Sequence, residues 1–190
     1  MNRFLALALV AASLALGACQ SSPPPRYQEQ PGDRLVMLQV KLGLGYMQEG
    51  QYELAMRRLA KARELGPDVP DVHDALGILH ARLGQPARAE ESFRRAIELS
   101  PDFAAARNHF GSFLCAQGRP EEGEKQLLAA AENPLYKRRE VAYTNAGLCL
   151  MRHGEPERAE GYLRDALGID AKMPAALLGM ARLTFNSGRH

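Results

Sequence analysis

The sequence predicts an all-α solenoid of helical hairpins, and three observations carry that expectation. Gly50, Gly84, Gly118, Gly154 and Gly188 stand 34, 34, 36 and 34 residues apart. Small residues recur in register with them: Gly43, Gly77, Gly111, Gly147 and Ala181 before the glycines, Ala55, Ala89, Gly123 and Ala159 after them, then Ala62, Ala96, Ala130 and Ala166. Larger apolar groups alternate with the small ones: Leu42, Leu76 and Phe110 in one column, Leu59, Phe93, Leu127 and Leu163 in another. An amphipathic helix bundle has no reason to hold Gly and Ala in register over successive units. Paired helices that approach closely do.

A spacing of 34 residues is the tetratricopeptide (TPR) period. Each periodic glycine falls at the turn between two helices, where a left-handed backbone angle suits Gly. The units run 36–69, 70–103, 104–139 and 140–173, with a partial unit at 174–190, about four and a half repeats in a domain spanning 33–190. Pro67 and Pro101 close the first two units, because proline stops a helix. Unit three is longer by two residues, and Asn133-Pro134-Leu135-Tyr136-Lys137-Arg138-Arg139 fills its junction with unit four. A local change in stacking is expected there. The fifth unit holds one helix, with Leu177, Met180, Leu183 and Phe185 left without a second helix to cover part of them. It reads either as a capping helix or as the start of a repeat cut short.

The amino terminus carries a separate signal. Arg3 precedes a thirteen-residue apolar run, Phe4 to Leu16, too short to span a bilayer comfortably. It ends in Leu16-Gly17-Ala18-Cys19, which resembles a bacterial lipobox. Residues 1–18 are then a lipoprotein signal peptide, and Cys19 is the acylated residue. The alternative is an ordinary secretory signal cut after Ala18. Gln20 follows the cysteine where inner-membrane retention often uses Asp, which favours the outer membrane. Residues 19–32 are rich in Pro and polar side chains, without apolar periodicity, and read as an extended tether.

Charge and composition exclude more than they assign. The chain has 24 Lys and Arg against 22 Asp and Glu, and residues 1–18 contribute Arg3 alone. No concentrated basic face suits nucleic acid. Of three cysteines, Cys115 and Cys149 remain once Cys19 is set aside. Both lie late in the first helices of adjacent units, and first helices of neighbouring repeats pack side by side. They read as a bridge in an oxidising compartment, or as two buried thiols packing as small apolar groups. His73, His80, His109 and His153 share no zinc spacing with Cys or carboxylates. There is no nucleophile elbow and no phosphate loop, and Gly43-Leu44-Gly45 lies inside a repeat helix with no strand before it. The reading is therefore a non-enzyme, with no cofactor, metal or small-molecule substrate.

What remains is a binding surface. In TPR arrays the concave face is lined by the first helix of each unit. In unit one those positions are Met37, Val40, Leu44, Met47 and Gln48, mostly apolar; the row continues through Ile78, Asn108 and Leu148. An apolar stretch on a solvated face marks a groove for a peptide or helix, and methionines suit an adaptable one. The other reading has Met37 and Val40 shielded by the tether or by self-contact. A carboxylate clamp needs Lys and Asn where Val40 and Leu44 stand.

Four strings carry a more specific resemblance: Leu42-Gly43-Leu44-Gly45-Tyr46, Asn108-His109-Phe110-Gly111-Ser112-Phe113-Leu114-Cys115, Asn133-Pro134-Leu135-Tyr136 and Asn145-Ala146-Gly147-Leu148-Cys149. With the lipobox, they make the chain resemble the type IV pilus biogenesis TPR lipoprotein family, the PilF/PilW pilotins. Members of that family carry more repeats, which fits a shortened fifth unit, and carry Cys at the positions of Cys115 and Cys149. The resemblance implies an outer-membrane lipoprotein, anchored by its acyl chains on the periplasmic face, that binds the pilus secretin and promotes its localisation and multimer assembly. The competing expectation is a TPR lipoprotein adaptor that presents substrates to a periplasmic protease or cell-wall hydrolase.

Overall fold

The computed structural model describes residues 28, 32–186 and 188. The expectations for the signal peptide at 1–18, for acylated Cys19 and for most of the tether lie outside the described residues. Within them run nine helices and no strand: α1 (Asp33–Gln48), α2 (Tyr52–Leu65), α3 (Pro70–Arg82), α4 (Pro86–Leu99), α5 (Ala104–Ala116), α6 (Pro120–Ala131), α7 (Arg139–Arg152), α8 (Pro156–Ile169) and α9 (Pro174–Asn186). Pro70, Pro86, Pro120 and Pro156 open helices, where the missing N–H is not needed and the fixed φ suits the first turn. No helix among the described residues is long and apolar enough to cross a membrane.

The turn inside each hairpin repeats atom for atom. The periodic glycine has positive φ, for example 73° at Gly50 and 83° at Gly154. The next residue then donates back across it, Gln51 N to Tyr46 O at 2.8 Å and Glu155 N to Leu150 O at 3.0 Å. This bond satisfies a carbonyl that the helix end would otherwise leave open.

Hairpins α1/α2, α3/α4, α5/α6 and α7/α8 pack along their length, and the odd-numbered helices form a row, α1 on α3, α3 on α5, α5 on α7 and α7 on α9. The small column sets the approach within each hairpin. A Cβ on Gly43 would lie 2.7 Å from the Leu59 side chain, one on Gly77 2.6 Å from the Phe93 ring and one on Gly147 2.7 Å from Leu163. On Gly111 it would lie 2.7 Å from the backbone oxygen of Gly123. Glycine at both small positions lets the α5 and α6 backbones meet.

The core follows the large column. Leu59, Phe93, Leu127 and Leu163 are all buried. Phe93 meets Phe110 and Phe113 at centroid distances of 5.7 and 5.6 Å, joining units two and three. The lengthened junction is ordered by hydrogen bonds: Asn133 Nδ2 donates to Asp102 O at 3.1 Å, Leu135 N donates to Asn133 Oδ1 at 2.9 Å and Arg139 Nε donates to Ala131 O at 2.6 Å. Across it, α6 packs on α7 more extensively than α2 on α3 or α4 on α5. At the far end α9 buries Ala176, Gly179 and Leu183. Leu183 is the covered member of the set named in the sequence, because it belongs to the stripe that meets α7 and α8. Leu177, Leu178 and Phe185 are exposed, and so is Ala181, which has no second helix to meet among the described residues.

Candidate functional site

The row of odd-numbered helices is where sequence reasoning places a groove, and the structure divides the residues named for it. Val40 and Met47 are each 3 % exposed and belong to the unit-one core with Val36, Leu59, Val72 and Leu79. They line no open face, because α2 and α3 both close over α1. Met37, Leu44 and Ile78 are half-buried, packed on that core with an edge in solvent. Leu148 is half-buried beside Gly179. Asn108 is buried and accepts a hydrogen bond from Asn145 Nδ2 at 2.9 Å. The open part of the row is thus Met37 and Leu44 on α1, Ile78 on α3 and Leu148 on α7.

Polar residues at the same register form rungs between units. Buried Asp74 on α3 takes His109 Nδ1 of α5 at 2.9 and 3.0 Å from its two oxygens. Asn108 and Asn145 make the next rung. In both, the fifth residue of one unit meets the sixth of the next. Such pairs fix how one repeat sits on another, since a buried polar group without its partner is costly.

The second helices carry a parallel set. Glu90 of α4 receives Arg94 of its own helix and Arg119, at the threshold of α6, at 2.8 Å. Those guanidinium groups, Arg119 before Arg94, hold the Glu90 carboxyl below its ordinary value. Buried Glu124 of α6 accepts from Arg158 of α8 and from the Tyr162 hydroxyl at 2.8 Å. Burial, with the Glu124 carboxylate beside it, pushes the Tyr162 phenol up to about 12. Next to this pair Cys115 of α5 and Cys149 of α7 are joined by a disulfide, with Cα atoms 5.8 Å apart, among Leu127, Ala146 and Tyr162. His153 Nε2 donates to Cys115 O at 3.2 Å. His153 and the two sulfurs lie close enough to suggest metal ligands, but both sulfurs are spent in the disulfide.

Two surface features escape the sequence reading. Leu35, Leu38 and Leu42 of α1 are 51 %, 50 % and 37 % exposed. Their spacing was legible as one helix face, yet α1 is apolar almost all round, so the pattern did not say which side faces out. Leu135 stands exposed on the Asn133 turn. Two clefts open beside the helices: one of about 690 Å³ between α2, α3 and α4, over Met56, Ala60 and Leu76, and one of about 870 Å³ between the Pro101–Ala105 and Asn133–Tyr136 segments.

The repeat geometry agrees with comparison to known proteins. The tetratricopeptide repeat family model matches residues 40–102, 75–137 and 116–174, and the chain belongs to that family. Among its relatives there are type IV pilus proteins. The type IV pilus assembly protein PilF of Pseudomonas aeruginosa is 34 % identical over 146 residues, which are 77 % of this chain. The chain spans 58 % of the length of that curated relative. The solved structure of Pseudomonas aeruginosa PilF superposes with a TM-score of 0.78 at 32 % identity, covering 83 % of this chain and 71 % of the other. That of PilW, described as a widely conserved type IV pilus biogenesis factor, gives 0.76 at 27 % identity, covering 82 % and 71 %.

Proposed function

We propose that this chain is a non-enzymatic lipoprotein of type IV pilus biogenesis that binds the pilus secretin and promotes its outer-membrane localisation and multimer assembly. The observation that carries the reading is the 34 % identity to PilF through the repeat region. The fold supports it physically. A solenoid tied by rungs, a disulfide and inter-unit ion pairs is a stiff surface, and a stiff surface loses little entropy on taking a partner segment.

The grip is assigned to the half-buried row of Met37, Leu44, Ile78 and Leu148, and the address to acylated Cys19. Anchor and groove would act together, because tethering both partners to one membrane raises their effective concentration. The test is a strain lacking the chain, complemented by the parent or by Cys19→Ser. The parent should restore secretin multimers in the outer membrane. Cys19→Ser should leave the protein released from it and multimers depleted. Undiminished multimers without the chain would refute the assembly role, and unchanged outer-membrane fractionation of Cys19→Ser would refute the anchor.

A further inference from the structure

We infer that the outer face of α1 rests on the lipid bilayer that holds the acyl anchor; the inference builds on the lipoprotein reading of Cys19. Leu35, Leu38 and Leu42 stand at i, i+3 and i+7, which aligns them on one side of the helix, and they are 51 %, 50 % and 37 % exposed. Their outer halves meet nothing among the described residues. The buried residues of α1 that pack against the array are Val36, Val40, Gly43 and Met47, on the other side of the helix. Arg34 and Lys41 flank Leu38 at helical-neighbour spacing, are exposed, and make no ion pair among the described residues. An apolar stripe edged by cations is the composition of a helix lying in the headgroup boundary.

The shape of the stripe argues against a peptide. It lies on one helix at one end of the described row, and among the described residues no second helix stands beside it to form walls. A plane of lipid needs none. The position argues the same way. Residues 20–32 separate Cys19 from α1. A Pro-rich segment of that length, fully extended, spans roughly 40 Å. Of the whole array, α1 is therefore the helix kept nearest the bilayer. Three half-covered leucines and two cations are too little to hold a free protein on a membrane. They suffice as the second signal beside an acyl anchor, where effective concentration is in the millimolar range, roughly. The tether then places the array in one orientation, with α1 down, rather than leaving it to tumble at the end of a leash.

The chain contains no tryptophan, so a single Leu38→Trp substitution is a clean reporter. The full chain carrying it is made in cells, its acylation at Cys19 is checked by mass spectrometry, and it is reconstituted into vesicles of phosphatidylethanolamine and phosphatidylglycerol with brominated acyl chains. Leu178→Trp, at the far end, is the control. The Leu38→Trp emission should shift blue on reconstitution and lose roughly half its intensity to bromine, as expected for a side chain at the headgroup–acyl boundary. The control should do neither. Unquenched Leu38→Trp emission in verified, vesicle-bound acylated protein overturns the inference while leaving the anchor standing. An equal blue shift in the unlipidated Cys19→Ser background without vesicles also overturns it, since a second copy or the chain's own amino-terminal segment would then be the cover. Absence of acyl mass on Cys19 brings down the anchor, and the inference with it.

Discussion

Replacing Gly111 by Ala tests whether the small column sets the hairpin approach. The new Cβ would lie 2.7 Å from the Gly123 backbone oxygen, 2.7 Å from Leu127 Cγ and 3.0 Å from Leu127 N. Two of these three atoms are backbone, so no rotamer change relieves the contact and α5 and α6 must separate. Overpacking of this kind costs about 1–3 kcal/mol, and the rigid neighbours argue for the upper end. Against it stands the helix-propensity gain of Ala over Gly, about 1 kcal/mol. The net is a loss of about 2 kcal/mol, or a melting temperature lower by roughly 4–8 °C for a chain of this size. Gly45 is the control. It also sits inside a helix, α1, but a Cβ there meets nothing within 4 Å. Gly45→Ala should keep the propensity gain and raise the melting temperature by roughly 2–4 °C. Far-UV circular dichroism melts of both variants decide it. A Gly111→Ala variant as stable as the parent would refute the close-approach argument.

Other expectations are as direct. Cys149→Ser opens a loop of 34 residues, worth about 4 kcal/mol by the loop-entropy relation. The parent should melt lower with a dithiol reductant present and the variant should ignore it; a reductant-insensitive parent contradicts the bridge. Because Arg119 and Arg94 depress the Glu90 pKa below its ordinary 4.5, the stability this carboxylate contributes is present above that value and lost as pH falls through the folded one. Urea midpoints should therefore fall on acidification less steeply in Glu90→Gln than in the parent, and parallel curves would remove the network from the account. Leu44→Asp should weaken secretin binding by roughly tenfold or more, since a charge replaces apolar contact at the centre of the proposed grip. Leu44 also leans on the unit-one core, so the variant's dichroism must match the parent's before the binding result counts. Full binding by the folded variant would move the grip elsewhere.

The sequence made the architecture legible because the hairpin contact allows so few residues. Gly43, Gly77, Gly111 and Gly147 each stand where a Cβ has no room, and Gly50 to Gly188 where φ is positive. The open face was less legible, and position five of each unit shows why. Val40, Asp74, Asn108 and Thr144 all occupy it, and all four are buried. A polar residue in that column reads as solvent-facing, yet Asp74 is met by His109 and Asn108 by Asn145 from the next unit. The column is a seam between repeats. Its partners lie 35 and 37 residues away, a distance at which periodicity marks equivalence but not contact. Val40 was misplaced for the same reason. Met47 was misplaced because apolar character alone does not separate the floor of a core from the wall of a groove. The exposed stripe of Leu35, Leu38 and Leu42 is the converse error, hidden by the apolar residues on the other sides of α1.

The partner proposed for this chain is a type IV pilus secretin. Affinity capture of the acylated protein from detergent-solubilised envelopes, read by mass spectrometry, tests it most directly. The expected result is a type IV pilus secretin as the dominant captured protein, reduced in parallel by Leu44→Asp. A periplasmic protease or cell-wall hydrolase in its place would leave the fold intact and contradict the function.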